Sequence, residues 1–434
     1  MTILGLYFFL FMAIFGAFAV DGMNISASQV HLQKAADQAA HAALYNMSYM
    51  GNDPAKADLA KEKAIEVVSA TLPPARFGTS IEISDITFGQ FDHATRAFTP
   101  DPTSTSAVMA ETSFSRGRLN ALNTFLFKLI GFDSFDITRR AVYETYQPGC
   151  LREGFLGEDI VAVNSNNNFA NGFCIHSNTH VSLNNNNQFE AGTIVSMADL
   201  GTLDLPASGF TTNDGLKAAL REGTMNLRIL NRIEHMIALY SDPDANVPGD
   251  TPRLPHYIVD KAAKPEKLLP KANKLETADL EEGKVYLVSC KNKNVTIDAN
   301  TTMRKVVIIS DCDMTFGNGI NGSSFEDVMI LTSSTSSTSI SAPAALRVGA
   351  MDNCKDGGGA VIASLGGMKF ASGIEMYGSQ FLAKGPIEFT SNAVGEGSSL
   401  ISGQTIYGTS NMDMKLCGNG TGDSLEMDYF RLVF

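Results

Sequence analysis

Residues 3 to 20 read ILGLYFFLFMAIFGAFAV, without a charge or a proline, and stop at Asp21. A run that is apolar on every face cannot sit on a core with one side and meet water with the other. In a bilayer an α-helix satisfies all of its own backbone groups. As a helix the run would extend about 27 Å, close to the ~30 Å hydrocarbon core. A cleaved secretory signal competes with this reading, since Ala17-Phe18-Ala19 resembles an A-x-A processing site. However, no basic residue precedes the run, it exceeds the roughly 7–15 residues of a signal's apolar region, and a helical pattern continues beyond it. The expectation is a retained anchor, with the N-terminus inside and the body exported across the inner membrane, periplasmic or extracellular.

After Asp21, Ala35, Ala36, Ala39, Ala40 and Ala43 recur at helical neighbour spacing, with Val30 and Leu32 upstream. High helix propensity and a small-residue face predict a rod that continues the anchor, with Ala36, Ala40 and Ala43 as a helix-packing face. That face could meet another subunit's helix or its own domain. Gly51-Asn52-Asp53-Pro54 ends the rod, and residues 55–70 read as a second helix with Leu59, Ile65, Val67 and Val68 on its apolar side. Residues 79–147 read as strands around one helix, the latter placed by Leu119, Leu122, Phe125, Leu126, Leu129 and Ile130.

The anchor, the Asp at its exit, the Ala-rich rod, ITFGQFD followed by RAFTP, and the strand-like RRAVYETY together resemble TadE/TadG-like proteins of tight-adherence (Flp) pilus assembly. The resemblance covers residues 3 to about 147. It implies a small pilin-like α+β unit and, as partners, the membrane and other pilus-assembly subunits met through the N-terminal helix. Two departures stand out: no glutamate lies early in the apolar run, and no D-x-S-x-S of a von Willebrand A-type domain occurs.

The rest of the chain repeats itself. FANGF (169–173), FEAGT (189–193), FGNGI (316–320) and FASGI (370–374) share one pattern, and FTSNA (389–393) puts Asn392 where the others have glycine. Asparagine is the other residue that tolerates a left-handed backbone. A second series begins at Val285, Val306 and Val328, in steps of 21 and 22. Short β-rich runs at a period near 20 with Gly/Asn turns predict a parallel β-solenoid, in which stacking supplies the core that no single coil can bury. Between the repeat blocks, residues from about 210 to 282 carry leucines at helical spacing, then Pro243, Pro248, Pro252, Pro255, Pro265 and Pro270. These read as an insertion projecting from the solenoid.

The predicted architecture is therefore multidomain, α+β and all-β: a transmembrane helix and rod (1–50), the pilin-like unit (51–147), and the interrupted solenoid (148–434). With 46 acidic against 33 basic residues the net charge is −13, which disfavours nucleic acid as a partner. Six cysteines without a CxxC pair, beyond a membrane-spanning start, read as disulfides. Cysteines one coil apart suit a disulfide's reach, which selects Cys290–Cys312, at a separation of 22, and Cys150–Cys174 as a first coil. Cys354–Cys417 follows by elimination. No cofactor, metal or catalytic set is expected. Asp311 and Asp313 share a face if they lie in one strand and could then serve as general acid and base or bind Ca²⁺, but a solvated edge accounts for them. His176 and His180 lack the helical metal spacing, and Asp356-Gly357-Gly358-Gly359 lacks a P-loop lysine. The chain thus reads as a non-enzymatic pilus-assembly component. The alternative is an exported solenoid that binds or cleaves polysaccharide, a glycan being its partner, with Tyr377 and Tyr407 as candidate sugar contacts.

Overall fold

The computed structural model describes residues 2–146, 149–245, 254–260, 264–291, 294–317, 324–343, 346–418 and 429–434. Pro248, Pro252, Gly319, Ile320 and the side chain of Ala17 lie outside the described residues. The chain divides into two units, Met1–Tyr146 with Asp428–Phe434, and Gln147–Met427.

In the first unit a single helix, α1 (Thr2–Tyr49), carries both the apolar run and the rod. Its alanine face is fully buried: Leu32, Ala35, Ala36, Ala39, Ala40, Ala43, Leu44 and Met47 form a core with Ile86, Phe88, Val108, Ala110 and Ala141 of the adjoining strands. The helix packed against that face is the chain's own α2 (Ala57–Thr71). Small residues on both partners let the backbones approach, so α2 buries Ala60, Ala64 and Val68. Leu59 and Val67, expected on the apolar side, are exposed instead. An antiparallel sheet completes the unit, with strands in the order Ala97–Pro100, Ile86–Asp92, Ala107–Phe114, Ile137–Tyr146, Tyr429–Leu432. The last strand comes from the far end of the sequence, a region expected to belong with the solenoid.

The helix predicted between the last two strands of residues 79–147 does not form. Leu122–Asn123 pairs with Ser134–Phe135 in a short ladder, and the helical residues there are two short 3-10 turns, Arg116–Arg118 and Phe127–Ile130. Leu119 is left-handed, with φ 57°, which starts the segment outside helical geometry.

Among the described residues, the strands of the second unit form three sheets in which every pair is parallel. Successive segments visit the three in turn: Gly154–Gly157 in sheet I, Val161–Val163 in sheet II, Asn168–Ala170 in sheet III, then Cys174–Ser177 back in sheet I beside Gly154–Gly157. Inward side chains from all three sheets form one core, including Phe155, Ile175, Val163, Phe169 and Phe189. The aromatic-glycine repeats serve two different corners. Phe169 neighbours Phe189 in sheet III and Phe370 neighbours Phe389 in sheet II. The turns behind them use positive φ at Gly172, Gly192, Gly373 and, at 63°, Asn392.

The valine series slips by one residue. Val306 does lie beside Val328, but Val285 lies beside Val307. Apolar residues line both faces of sheet I here, so alternation could not fix the register. The outer face is apolar because something covers it. Helix Arg232–Ser241 packs on strands Thr302–Ser310 and Ser324–Thr332, and Glu234 pairs with Lys384 at 2.6 Å. The helical part of the segment read as a projecting insertion, Arg232–Ser241, is thus a strap lying on sheet I.

That strap also carries the chain from one end of the stack to the other. Sheet I runs in the order Leu220–Glu222, Ile194–Met197, Cys174–Ser177, Gly154–Gly157, Ser399–Ser402, Gln380–Ala383, Ala360–Ser364, Ser324–Thr332, Thr302–Ser310, Val285–Val288, Glu266–Leu268. The first strand of the unit lies in the middle and pairs with the last strand of the sheet, Phe155 beside Leu400. The same seam joins Val161 to Ile406 in sheet II and Phe169 to Met414 in sheet III.

Candidate functional site

Along the apolar run, the large side chains Ile3, Leu4, Leu6, Tyr7, Phe8, Phe9, Phe11, Met12, Ile14, Phe15, Phe18 and Val20 remain exposed, for example Leu4 at 79% and Phe18 at 64%. The helix is long and apolar enough to cross a membrane. Asp21, the next residue, is buried. Its carboxylate accepts backbone N–H groups from Phe125 (2.6 Å), Leu126 (2.8 Å) and Phe127 (2.7 Å). Burial alone would raise the pKa of this group, but the three donors and nearby Lys128 outweigh it, so the carboxyl is held below its ordinary value. The sequence marks the Asp but not its donors, because residues 119–130 imitate a helix. In such a helix these N–H groups would be committed to carbonyls four residues back.

The helix-packing residues Ala36, Ala40 and Ala43 all face the interior of the first unit. Their surface is occupied by the chain itself. Nearby, His93 and Arg431 both bond Glu144, at 2.8 and 2.5 Å, fastening strand Tyr429–Leu432 to its neighbour Ile137–Tyr146.

In the second unit the disulfides join Cys150 to Cys174, Cys290 to Cys312 and Cys354 to Cys417, with Cα separations of 5.2, 6.3 and 5.5 Å. Cys290 and Cys312 extend the register of Val288 beside Ser310. Asp311 lies within 4.8 Å of both their sulfurs, but the sulfurs are bonded to each other and offer no thiolate pair to a metal. Asp311 and Asp313 do not share a strand: Asp311 sits in the bend after Ser310, and Asp313 begins the next strand. Asp311 is exposed, while the half-buried Asp313 accepts the Ser334 hydroxyl at 2.5 Å.

His176 is buried in sheet I between Ser196 Oγ (2.7 Å from Nδ1) and Asn178 Oδ1 (3.0 Å from Nε2). Burial pushes its pKa down, so the neutral ring is favoured. His180 is only half-buried, on a different segment. Tyr377 is buried in sheet III, whereas Tyr407 is exposed in sheet II with its hydroxyl beside Asn164. They do not form the exposed aromatic row that a sugar platform requires. Residues 356–359 make a turn, with positive φ at Gly357 and Gly358.

Residues 1–55 match the family model Tad, TadE/G-like Flp pilus assembly. That match covers the anchor and rod and stops before the α+β strands that share the resemblance. No curated protein and no solved structure matches the chain. Residues 154–418 match a second family model, spanning the parallel-sheet unit from its mid-stack entry strand to the last cysteine. This is more than half of the chain, which therefore belongs to the family described as Domain of unknown function (DUF7867).

Proposed function

We propose that this chain is a membrane-anchored component of Flp pilus assembly, pilin-like or minor, whose body is exported and whose second unit is a three-sided parallel β-solenoid. The observation that carries the reading is the Tad match over residues 1–55, on a helix whose first third exposes apolar side chains on every side. The return of the chain to sheet I after one strand each in sheets II and III supports the solenoid. Disulfides joining all six cysteines suit an oxidising compartment outside the inner membrane. In this reading the role is structural.

The test is genetic. Cells lacking this chain should lose Flp pili, scored by electron microscopy. Full-length protein should restore them, while a version with residues 3–20 replaced by a cleavable signal should not. Normal piliation without the chain would remove the proposal. A phosphatase fused after Phe434 should be active, as export of the body requires.

A further inference from the structure

The segment from Arg116 to Asp136 is a closed, well-bonded loop. Arg116 and Asp136 pair across its base at 3.0 Å, the short ladder Leu122–Asn123 with Ser134–Phe135 closes it, and Thr124 Oγ1 donates to the Phe132 carbonyl at 2.5 Å. Yet its outer side shows Phe125 (58% exposed), Leu129 (77%), Ile130 (62%) and Phe132 (55%). Four large apolar side chains held open to water by a satisfied backbone mark a binding surface and not a frayed end. The loop is fixed to the anchor at two points. Asp21 grips three consecutive N–H groups of residues 125–127, and the Phe127 ring meets Phe18 edge-on at 5.3 Å. Phe18 belongs to the last turn of the apolar run, on the membrane side of Asp21.

From this juxtaposition we infer that the tip formed by Phe125, Leu129, Ile130 and Phe132 is a second membrane contact, seated in the outer-leaflet interface beside the exit of the anchor. The inference rests on the anchor reading above. Continuity selects lipid as the occupant: a tip clamped to the last turn of a spanning helix lies at the depth where acyl chains meet headgroups. Lys128, exposed at the same tip, can extend its ammonium to the phosphates while its stem stays among apolar groups. Two points of insertion, joined through a buried carboxylate, would restrict rotation and tilt of the helix as it leaves the bilayer.

The chain has no tryptophan, so one introduced indole reports alone. Leu129→Trp and Ile130→Trp alter exposed positions, and Phe11→Trp, inside the run, reports on the anchor. Each full-length variant would be placed in phosphatidylcholine/phosphatidylglycerol vesicles containing brominated lipids. The expected result is blue-shifted emission from L129W and I130W, quenched most by bromines high on the acyl chains and little by aqueous acrylamide; F11W should be quenched most by deep bromines. If L129W and I130W stay open to acrylamide while F11W is quenched by lipid, the second contact is wrong and the anchor stands. If they are shielded from both quenchers, protein covers the tip, a second copy included, and the lipid assignment fails. If F11W escapes lipid quenching, the anchor reading itself fails.

Discussion

Asp21 shows how one carboxylate can organise a segment more than a hundred residues away. Ionised, it offers acceptors to three N–H groups that would otherwise be left open at the start of the Phe127–Ile130 turn. Asp21→Asn loses the charge and turns an acceptor into a donor facing donors, so hydrogen exchange at Phe125, Leu126 and Phe127 should rise sharply. The alanines act by size. At Ala40, fully buried, Leu should overpack the interior and cost the first unit about 1–3 kcal/mol, seen as a lower transition by circular dichroism of the detergent-solubilised protein. His176 acts through its protonation. Its pKa is depressed in the folded state, so the unfolded chain binds the proton more readily below the ordinary value near 6.5. The stabilising contribution is complete above that pH and declines as pH falls through it, by at most ~1.4 kcal/mol per pH unit. Urea midpoints of the second unit between pH 7.5 and 5 should show this fall, and H176Q should flatten it. The small size of the alanines and the stop at Asp21 were legible in the sequence. What faces them was not, because packing partners lie far along the chain.

At the scale of elements, what could be read depended on how regular the local pattern was. The apolar run and rod are one helix, since nothing between residues 2 and 49 breaks the helical pattern. The near-20 period gives parallel neighbours because each coil repeats the same number of residues, and Phe169 beside Phe189 shows it directly. Register failed where apolar residues cover both faces, as at Val285. Helix spacing failed at residues 119–130, where an unseen acceptor captured the backbone. The strap Arg232–Ser241 was legible as a helix, but not its seat, since its partners are more than sixty residues away. Disulfides reinforce single steps of the stack. Replacing Cys290 and Cys312 together by serine opens a 22-residue loop and should cost about 3 kcal/mol, measured by urea unfolding under non-reducing conditions. Exposed ion pairs between neighbouring coils, such as Arg347–Glu375 and Lys369–Glu388, should contribute under 1 kcal/mol each.

For the molecule as a whole, the second unit begins in the middle of its own stack. An ordinary stacked coil protein frays from its terminal repeats. Here the first strand is interior, so amides of Gly154–Gly157 should exchange as slowly as those of Ser399–Ser402, and more slowly than Leu220–Glu222 and Glu266–Leu268 at the two ends. Phe155→Ala, at the seam, should cost about 3–5 kcal/mol and loosen the coils on both sides together. The seam also imposes an order in time. A chain that emerges from its N-terminal end delivers strand 154–157 early, but the neighbour that covers its edge, strand 399–402, only after about 240 further residues. The first unit waits longer still, since its sheet is completed by strand 429–432. Until those residues emerge, both units hold bare strand edges open to wrong pairing. Completion of both units is therefore coupled to the end of the chain: a chain that stops before residue 399 is left unfinished in both at once, its bare edges open to chaperones and proteases.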